Sequence, residues 1–466
     1  METSRDQFIK PEQFMNKVLK RNGEVGWAAC EIMAAAIDAV NPYQIIRKYV
    51  NYSKDTLAFG DEVIDLHEIN RIVLLGFGKA SAPMAKAMLD ILGEHIDTAE
   101  IVTKSEEFLK DQSYWGRLKV HLGGHPIPNE ATIESTRSIL KDIGELSPND
   151  LVLVVISGGG SALFSDPLPG IALADLQEMT SVLLRCGADI SEINTLRKHL
   201  DRVKGGRLAL RFSPAKVRTF ILSDVIGDRL DMIASGPTIQ DPTTFTDAAE
   251  VIRKYQLKDS LPESIVTALE RGQAGAIEET LKSGDFNTLD VANHLVGTNI
   301  MAACAAKTKA EALGYNAIIL TSHLTGHTPD VARTLASIIQ TEQDYEHPLS
   351  KPACLLLGGE TTVAVTGNGK GGRNQDLVLH MVRELVDQPG VLFVSLATDG
   401  EDGPTDAAGA ASDAKVYHEG SGMWELCIDT YISDNNSYQY FEKVGGLIKI
   451  GSTGTNVNDL ILVFVV

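Results

Sequence analysis

The hydrophobic positions of this chain fall into short continuous runs, and most of these runs stop at a turn made of glycine and polar residues. Arg71-Ile-Val-Leu-Leu-Gly-Phe-Gly-Lys79 reads as a buried strand entering a glycine turn, and residues 80–92 read as the helix that follows. Residues 151–156 and 217–222 repeat the pattern and end in Ser157-Gly-Gly-Gly-Ser161 and Ser223-Asp-Val-Ile-Gly-Asp228. Uninterrupted apolar strands alternating with helices predict a parallel sheet covered on both faces, with the functional loops at the carboxyl ends of the strands. The fold class is therefore α/β.

A helical region precedes this sheet, with residues 24–40 spaced to form one apolar face. Residues 238–290 are charged and helical in pattern, punctuated by Pro242 and Pro262, and read as a connector. The strand pattern restarts at 294–299, 316–322, 353–357 and 391–396, and residues 458–466 close the chain. At 466 residues the chain exceeds one ordinary core. Two α/β domains are expected, 1–290 with its trailing helical connector and 291–466, and the last strand could return to the first sheet. No fixed-period repeat or low-complexity tract interrupts them.

Composition narrows the class of partner. The chain is 44% hydrophobic and 22% charged, as globular proteins are, and its 41 glycines mark many tight turns. A formal net charge of −20 disfavours nucleic acid and anionic membrane, which need a basic footprint. An anionic substrate would need a local cationic pocket working against that field. The five cysteines are far apart, indicating neither a zinc site nor a disulfide framework, and read as buried thiols. The opening Met-Glu-Thr-Ser-Arg-Asp lacks a signal-peptide pattern, and no apolar run reaches the roughly 18 residues of a membrane span. A cytoplasmic location and a monomer or homodimer are expected.

The candidate chemistry lies in the turns. Residues 357–375 pack two glycine-rich turns around Glu360, Lys370 and Arg373. Gly367, Gly369, Gly371 and Gly372 are expected to bring backbone N–H groups close to an anion, facing the positive N-terminus of a helix over 376–386. Arg373 adds a planar fork suited to phosphate or carboxylate. Gly76-Phe-Gly-Lys-Ala-Ser-Ala82 is part of a dinucleotide fingerprint, but Lys79 occupies the turn and Ala82 replaces the third glycine. Lys79 is thus either an exposed turn residue or a cation placed for phosphate or carboxylate. No Walker A sequence is present.

Ser157, Gly158, Gly159, Gly160 and Ser161 form either a flexible turn or a nest of N–H groups and hydroxyls for phosphate oxygens. Gly159 stands where a hydrolase elbow would need its serine. The stretch 194–207 concentrates Arg197, Lys198, Arg202, Lys204 and Arg207, readable as a solvated helix face with an Arg197–Asp201 pair or as a cationic wall. His199 reads as structural. Asp399, Glu401, Asp402 and Asp406 place four carboxylates within eight residues, and Gly403 breaks an EF-hand register. They suit Mg²⁺ or a general base, or else form an ordinary acidic turn. Asp224 and Asp228, with Ala234-Ser-Gly-Pro-Thr238, offer a second such cluster.

Together these segments resemble the glycerate 2-kinase family, whose C-terminal half carries the MOFRL domain. The likeness runs through Gly78-Lys79-Ala80, Gly124-His125-Pro126, Ser157 to Leu163, Arg197-Lys-His-Leu200, Lys204-Gly-Gly-Arg-Leu208 and Ala234 to Thr238. It continues in Gly358-Gly-Glu-Thr-Thr362, Gly371-Gly-Arg-Asn-Gln375, Thr398-Asp-Gly400, Asp402 to Gly409, and Thr453-Gly-Thr-Asn-Val-Asn-Asp459. The resemblance implies a Rossmann-like N-terminal domain, a MOFRL-type C-terminal domain, and an active site in the cleft between them. It further implies ATP- and Mg²⁺-dependent phosphorylation of D-glycerate at its 2-hydroxyl.

Lys79 and Arg373 match the family's proposed catalytic positions and would neutralise the transferring phosphoryl group. Asp399 is the expected third catalytic residue. Arg197 or Lys198 would hold the glycerate carboxylate, and residues 157–161, Glu360, Gly371, Gly372, Asn374 and Asn456 would complete the substrate and phosphate contacts. Asp224, Asp228 and Asp402 are the expected metal ligands. The chain departs from the family at Arg229, where a second acid is common, and at His327-Thr328, which replace Glu-Ala. Two other readings are an NAD(P)-dependent hydroxypyruvate reductase, which needs the fingerprint that Lys79 breaks, and a non-catalytic metabolite sensor.

Overall fold

The computed structural model describes residues 9–104 and 116–466; the opening residues, read above as lacking a leader pattern, lie outside them. The chain forms two compact units, Ile45–Val296, and Met1–Gln44 together with Gly297–Val466.

The unit Ile45–Val296 opens with an antiparallel meander, β1 (Val50–Ser53), β2 (Thr56–Phe59) and β3 (Glu62–Asp65), which the sequence reading missed. Its main sheet contains β4 (Arg71–Phe77), β5 (Thr98–Thr103), β6 (Lys119–Leu122), β7 (Asp150–Ile156), β8 (Lys216–Leu222) and β9 (Val291–Gly297), in the order β6-β5-β4-β7-β8-β9. The pairings from β6 through β8 are parallel. Val73, Leu75 and Phe77 of β4 and Val152, Val154 and Ile156 of β7 share a core with Ile139, Leu140 and Ile143 of the helix Glu130–Ile143. The alternate residues Leu74, Leu153 and Val155 are equally buried, so both faces are covered, which is why these strands are apolar throughout. Successive strands run outward from β4 to one edge and from β7 to the other, placing the topological switch point between β4 and β7.

Two expectations change here. The strand expected at 294–299 in the second domain is β9, next to β8 in the first sheet. Asn293, just before its centre, accepts from the Thr238 hydroxyl at 2.7 Å, inside the same unit. Residues 238–290 are no connector: the helices Phe245–Lys254 and Glu263–Gln273 pack on Leu173–Arg185 and Ile190–His199 around Met179, Leu183, Leu196, Phe245 and Ile265.

The other unit carries β10 (Asn316–Leu324), β11 (Ala353–Gly359), β12 (Val391–Ala397), β13 (Gly409–Asp413), β14 (Leu447–Ile448) and β15 (Asp459–Val465), in the order β10-β11-β15-β12-β13-β14. β10 and β11 are parallel, and β15 lies antiparallel between β11 and β12. The last strand therefore does not return to the first sheet. The helix Gly23–Ala39 packs on the helix Asn299–Ala312, with Ala29, Ala36, Ala302 and Ala306 fully buried. Arg21 donates from Nε to Asp413 Oδ2 at 2.8 Å. These contacts place the first 44 residues with the second sheet, although the sequence expectation put them with the first; an apolar face fixes that a helix packs but not where.

No helix among the described residues is long and apolar enough to cross a membrane. All five cysteines are free; Cys30 and Cys354 are buried as expected, whereas Cys304 and Cys427 are exposed.

Candidate functional site

β4 and β7 end side by side, with Phe77 opposite Ile156. Beyond them the Ser157 N–H donates to the Phe77 carbonyl at 3.2 Å and the Lys79 N–H to the Gly158 carbonyl at 2.9 Å. Gly78 holds φ 117°, and a Cβ there would lie 2.4 Å from Ser157 Oγ, so this turn requires glycine. The Ser157 hydroxyl accepts the Ala80 N–H at 2.9 Å, at the start of the helix Ser81–Leu92. Ser157 is 1% exposed, so its side chain braces that helix and does not face a ligand as expected.

The glycines after it make room for the side chains of Asp224, His125 and Lys79. A Cβ on Gly158 would stand 1.9 Å from Asp224 Oδ2, and one on Gly159 2.8 Å from His125 Cδ2 and 3.5 Å from Lys79 Cγ. Among the described residues the N–H groups of Gly158, Gly159 and Ser161 meet no acceptor. Burial, reinforced by Lys79 and Lys104, pushes the His125 imidazole down to about 4, which keeps it neutral at pH 7. Gly160 abuts Ala234, and Ala234 and Ser235 hold φ 50° and 62°, a left-handed geometry unfavourable for non-glycine residues. Ser235 donates to Asn194 Oδ1 at 3.2 Å and is linked to Ser161 Oγ at 2.8 Å.

The cationic stretch sorts into distinct tasks. The helix ends at His199, so Asp201 leaves its face and the expected Arg197–Asp201 pair does not form. Lys198 is 1% exposed and pairs with Asp241 at 2.6 Å, which removes it as a substrate contact. Lys204 is buried, donating to the Phe164 carbonyl at 2.7 Å, and Arg207 donates to the carbonyls of Lys198, Asp201 and Glu278. His199 is buried against Glu279 at 2.9 Å, structural as read. Arg197 has no acceptor among the described residues; burial alone lowers its pKa, and it lines a small cavity with Ser161 and Lys204. An uncompensated, largely buried guanidinium is the feature that an anionic substrate group would complete.

In the other unit Arg373 opens the helix Arg373–Glu384 at the edge where β11 and β12 end and β15 begins. It donates from Nε and Nη2 to the two oxygens of Asp459 at 2.6 and 2.8 Å, and its Nη1 lies 3.0 Å from Glu360 Oε1. Asn458 donates to the other Glu360 oxygen at 2.9 Å. Asp399 is half-buried after β12 and accepts the Glu401 N–H at 3.0 Å. Asn456 accepts the Asn458 N–H at 3.1 Å.

Several expected contacts are structural instead. A Cβ on Gly367 or Gly369 would meet Asp434 at 2.3 to 2.4 Å, one on Gly371 would meet Ser437 Oγ at 2.2 Å, and one on Gly372 would meet Asp402 at 2.3 Å. These glycines serve close chain packing, and the N–H groups of Gly367 and Asn368 are accepted by Asn435 and Asp434 side chains. The helix N-terminus is occupied by Asp402, which accepts the N–H groups of Asn374 at 3.1 Å and Gln375 at 2.9 Å. Asp402 is fully buried with both carboxylate oxygens engaged by these groups and by the Gln375 amide, a capping role in place of the expected metal contact; Asn374 is 1% exposed and accepts from the Ser395 hydroxyl. Among the described residues no three His, Cys, Asp or Glu side chains gather as a metal site. Asp224 and the half-buried Asp228, both after β8, remain compatible with Mg²⁺, which commonly takes one or two carboxylates and completes its shell with water and phosphate.

A family model described as a domain of unknown function, DUF4147, matches residues 28–270, and the MOFRL family model matches residues 353–459. The chain is 42% identical to a D-glycerate 2-kinase of Thermotoga maritima, covering 94% of this chain and 98% of that protein. It is 40% identical to a glycerate 2-kinase of Pyrococcus horikoshii, covering 93% and 96%. The chain belongs to the glycerate 2-kinase family. The crystal structure of a Thermotoga maritima glycerate kinase matches with a TM-score of 0.80 at 39% identity, covering 94% of this chain and 99% of that one. A relative from Agrobacterium vitis that carries a hydroxypyruvate reductase name is 38% identical over 84% of this chain.

The family's motifs contained residues to which the sequence reading gave no role. Asp459 closes the 453–459 motif and His125 stands in the 124–126 motif, yet only the fold puts one on Arg373 and the other beside Gly159 and Lys79. Both departures have local structural roles. Arg229 pairs with Asp231 at 2.9 Å, and Thr328 hydrogen-bonds the buried Asp376.

Proposed function

We propose that this chain transfers the γ-phosphoryl group of ATP to the 2-hydroxyl of D-glycerate, giving 2-phospho-D-glycerate and ADP. The observation that carries the reading is the match along nearly the whole chain to proteins named glycerate 2-kinase, joined to a fold-level match at TM-score 0.80.

Phosphoryl transfer asks a protein chiefly for positioning and for charge that meets the transferring group. Lys79 and Arg373 are assigned that charge. Gly158, Gly159 and Ser161 supply N–H groups for phosphate or carboxylate oxygens, and Arg197 takes the glycerate carboxylate, because its guanidinium has no acceptor among the described residues. His125 stays neutral, so it can accept or donate one hydrogen bond to a substrate hydroxyl without adding charge. Asp399 is assigned the proton of the attacking hydroxyl. Mg²⁺, carried with the nucleotide and met by Asp224 and Asp228, would offset phosphate charge. The reading further includes a cytoplasmic monomer or homodimer acting on small molecules.

Phosphorus NMR of the products formed from MgATP and D-glycerate tests this directly. The expected spectrum shows 2-phosphoglycerate and ADP in equal amounts. Formation of 3-phosphoglycerate, or oxidation of NADH by hydroxypyruvate with no ADP formed, would overturn it.

A further inference from the structure

A second cationic cavity lies in the unit Ile45–Val296 and shares no lining residue with the small cavity of Ser161, Arg197 and Lys204. It encloses about 800 Å³ and is lined by the helix Glu130–Ile143, the segment around Asp166, the helix Arg207–Phe212 and residues 277–281. Its organising group is Asp166, which is 2% exposed. Asp166 Oδ1 accepts Arg137 Nε at 2.8 Å, and its Oδ2 pairs with Arg202 Nη2. One buried carboxylate thus orients two guanidinium groups, and each keeps further N–H donors that meet no other acceptor among the described residues.

A single carboxylate cannot balance two arginines. Lys141 and Arg211, both exposed on the same cavity, have no acidic partner among the described residues. The other acids on its wall are Glu278, which is exposed, and Glu279, which is engaged by His199 at 2.9 Å; with Arg207 the lining still sets five cations against three carboxylates. The cavity is therefore locally cationic in a chain of net charge −20, where a cationic surface is the exception. Leu140, Leu210 and Ile277 supply apolar surface, and Leu210 is 43% exposed. Oriented arginine forks with added cations suit a dianion, since a carboxylate would be met by one fork alone. An apolar wall beside them and a volume within the range of small-molecule sites call for a ligand with an apolar body.

We propose that this cavity is a binding site for an organic phosphate, distinct from the candidate active site, with Arg137 and Arg202 gripping the phosphate and Leu210 and Ile277 contacting the organic part. Nothing in the assignment depends on the kinase reading. Calorimetric titration of the full chain with α-naphthyl phosphate tests it, with α-naphthol and inorganic phosphate as separate titrants. One saturable site is expected, weakened at least about tenfold in the double variant Lys141→Glu/Arg211→Glu and unchanged in Lys79→Ala. Lys141 and Arg211 are exposed, and matching melting curves would confirm that the double variant is folded. Absence of binding, equal binding by the double variant, loss of binding in Lys79→Ala, or inorganic phosphate or α-naphthol binding as tightly as the aryl phosphate would each overturn the proposal.

Discussion

Arg373 is fixed in direction by Asp459, whose two carboxylate oxygens take Nε at 2.6 Å and Nη2 at 2.8 Å. Glu360 takes Nη1 at 3.0 Å, so three of the five donors are engaged, leaving two N–H groups on the Nη atoms. Burial lowers the Arg373 pKa, and the paired carboxylate more than offsets this, leaving the guanidinium above its ordinary value. Asp459 is thus a positioning residue for the proposed phosphoryl contact. Replacing it with Ala should destabilise the fold by about 3–5 kcal/mol, because a largely buried cation loses its main partner. Asp459→Asn, which keeps the volume, should stay folded and lower kcat more than it raises KM. Thermal melts and steady-state kinetics on both variants check this.

Asp459 also sets a pH dependence. Burial, only partly opposed by Arg373, pushes its carboxyl up to about 7. The ion pair is complete above that pH and loses its negative partner as pH falls through it, so an acid limb in kcat near pH 7 is expected, absent in Asp459→Asn. The effect on stability has the opposite sense. Because the folded pKa lies above the unfolded value of about 3.9, the native state retains a proton that the unfolded chain has already lost. That contribution is full below pH 4 and is lost as pH rises through 7. Urea unfolding from pH 4 to 7 should therefore show a smaller decline in stability for Asp459→Asn than for the parent chain.

His125 gives a second titration with a different sign. Its folded pKa of about 4 lies below the ordinary 6.5, so the unfolded chain takes up a proton that the native state refuses as pH falls between those values. His125→Gln should remove up to one proton from the acid destabilisation measured between pH 6.5 and 4. Anion binding near Lys79 should raise the His125 pKa, since added negative charge favours the imidazolium. Titration of its ring protons by NMR with and without an ATP analogue reads the shift directly.

Asp402 separates a structural from a metal-binding role. As the carboxylate capping Arg373–Glu384, its replacement by Ala should cost about 1–2 kcal/mol or more, with two buried N–H groups left unpaired. The Mg²⁺ concentration giving half-maximal activity should not move. Asp224→Asn, by contrast, should raise the Mg²⁺ requirement.

The strands and the turns that end them were legible because β4, β7 and β8 are buried on both faces and must be apolar throughout. Partners were not legible. Nothing in the pattern of 294–299 marks its place beside β8, and β15 carries no mark that it runs antiparallel between β11 and β12. The glycines of 367–372 show the limit most clearly. A glycine required by a ligand and one required by a neighbouring chain segment look identical in sequence, and here Asp434, Asn436 and Ser437 are the neighbours. Lys79 and Arg197 were picked out by charge and motif, but only burial shows that Lys198 and Lys204, a few residues from Arg197, are already satisfied.

The most direct test couples D-glycerate and MgATP to enolase in the absence of phosphoglycerate mutase, using the parent chain and folded Lys79→Ala and Arg373→Ala variants. The account predicts phosphoenolpyruvate formation by the parent chain and a loss of at least about a hundredfold in kcat/KM for each variant, the scale of removing a charge that meets the transition state. A signal that appears only when mutase is added, or turnover undiminished in both variants, would contradict it.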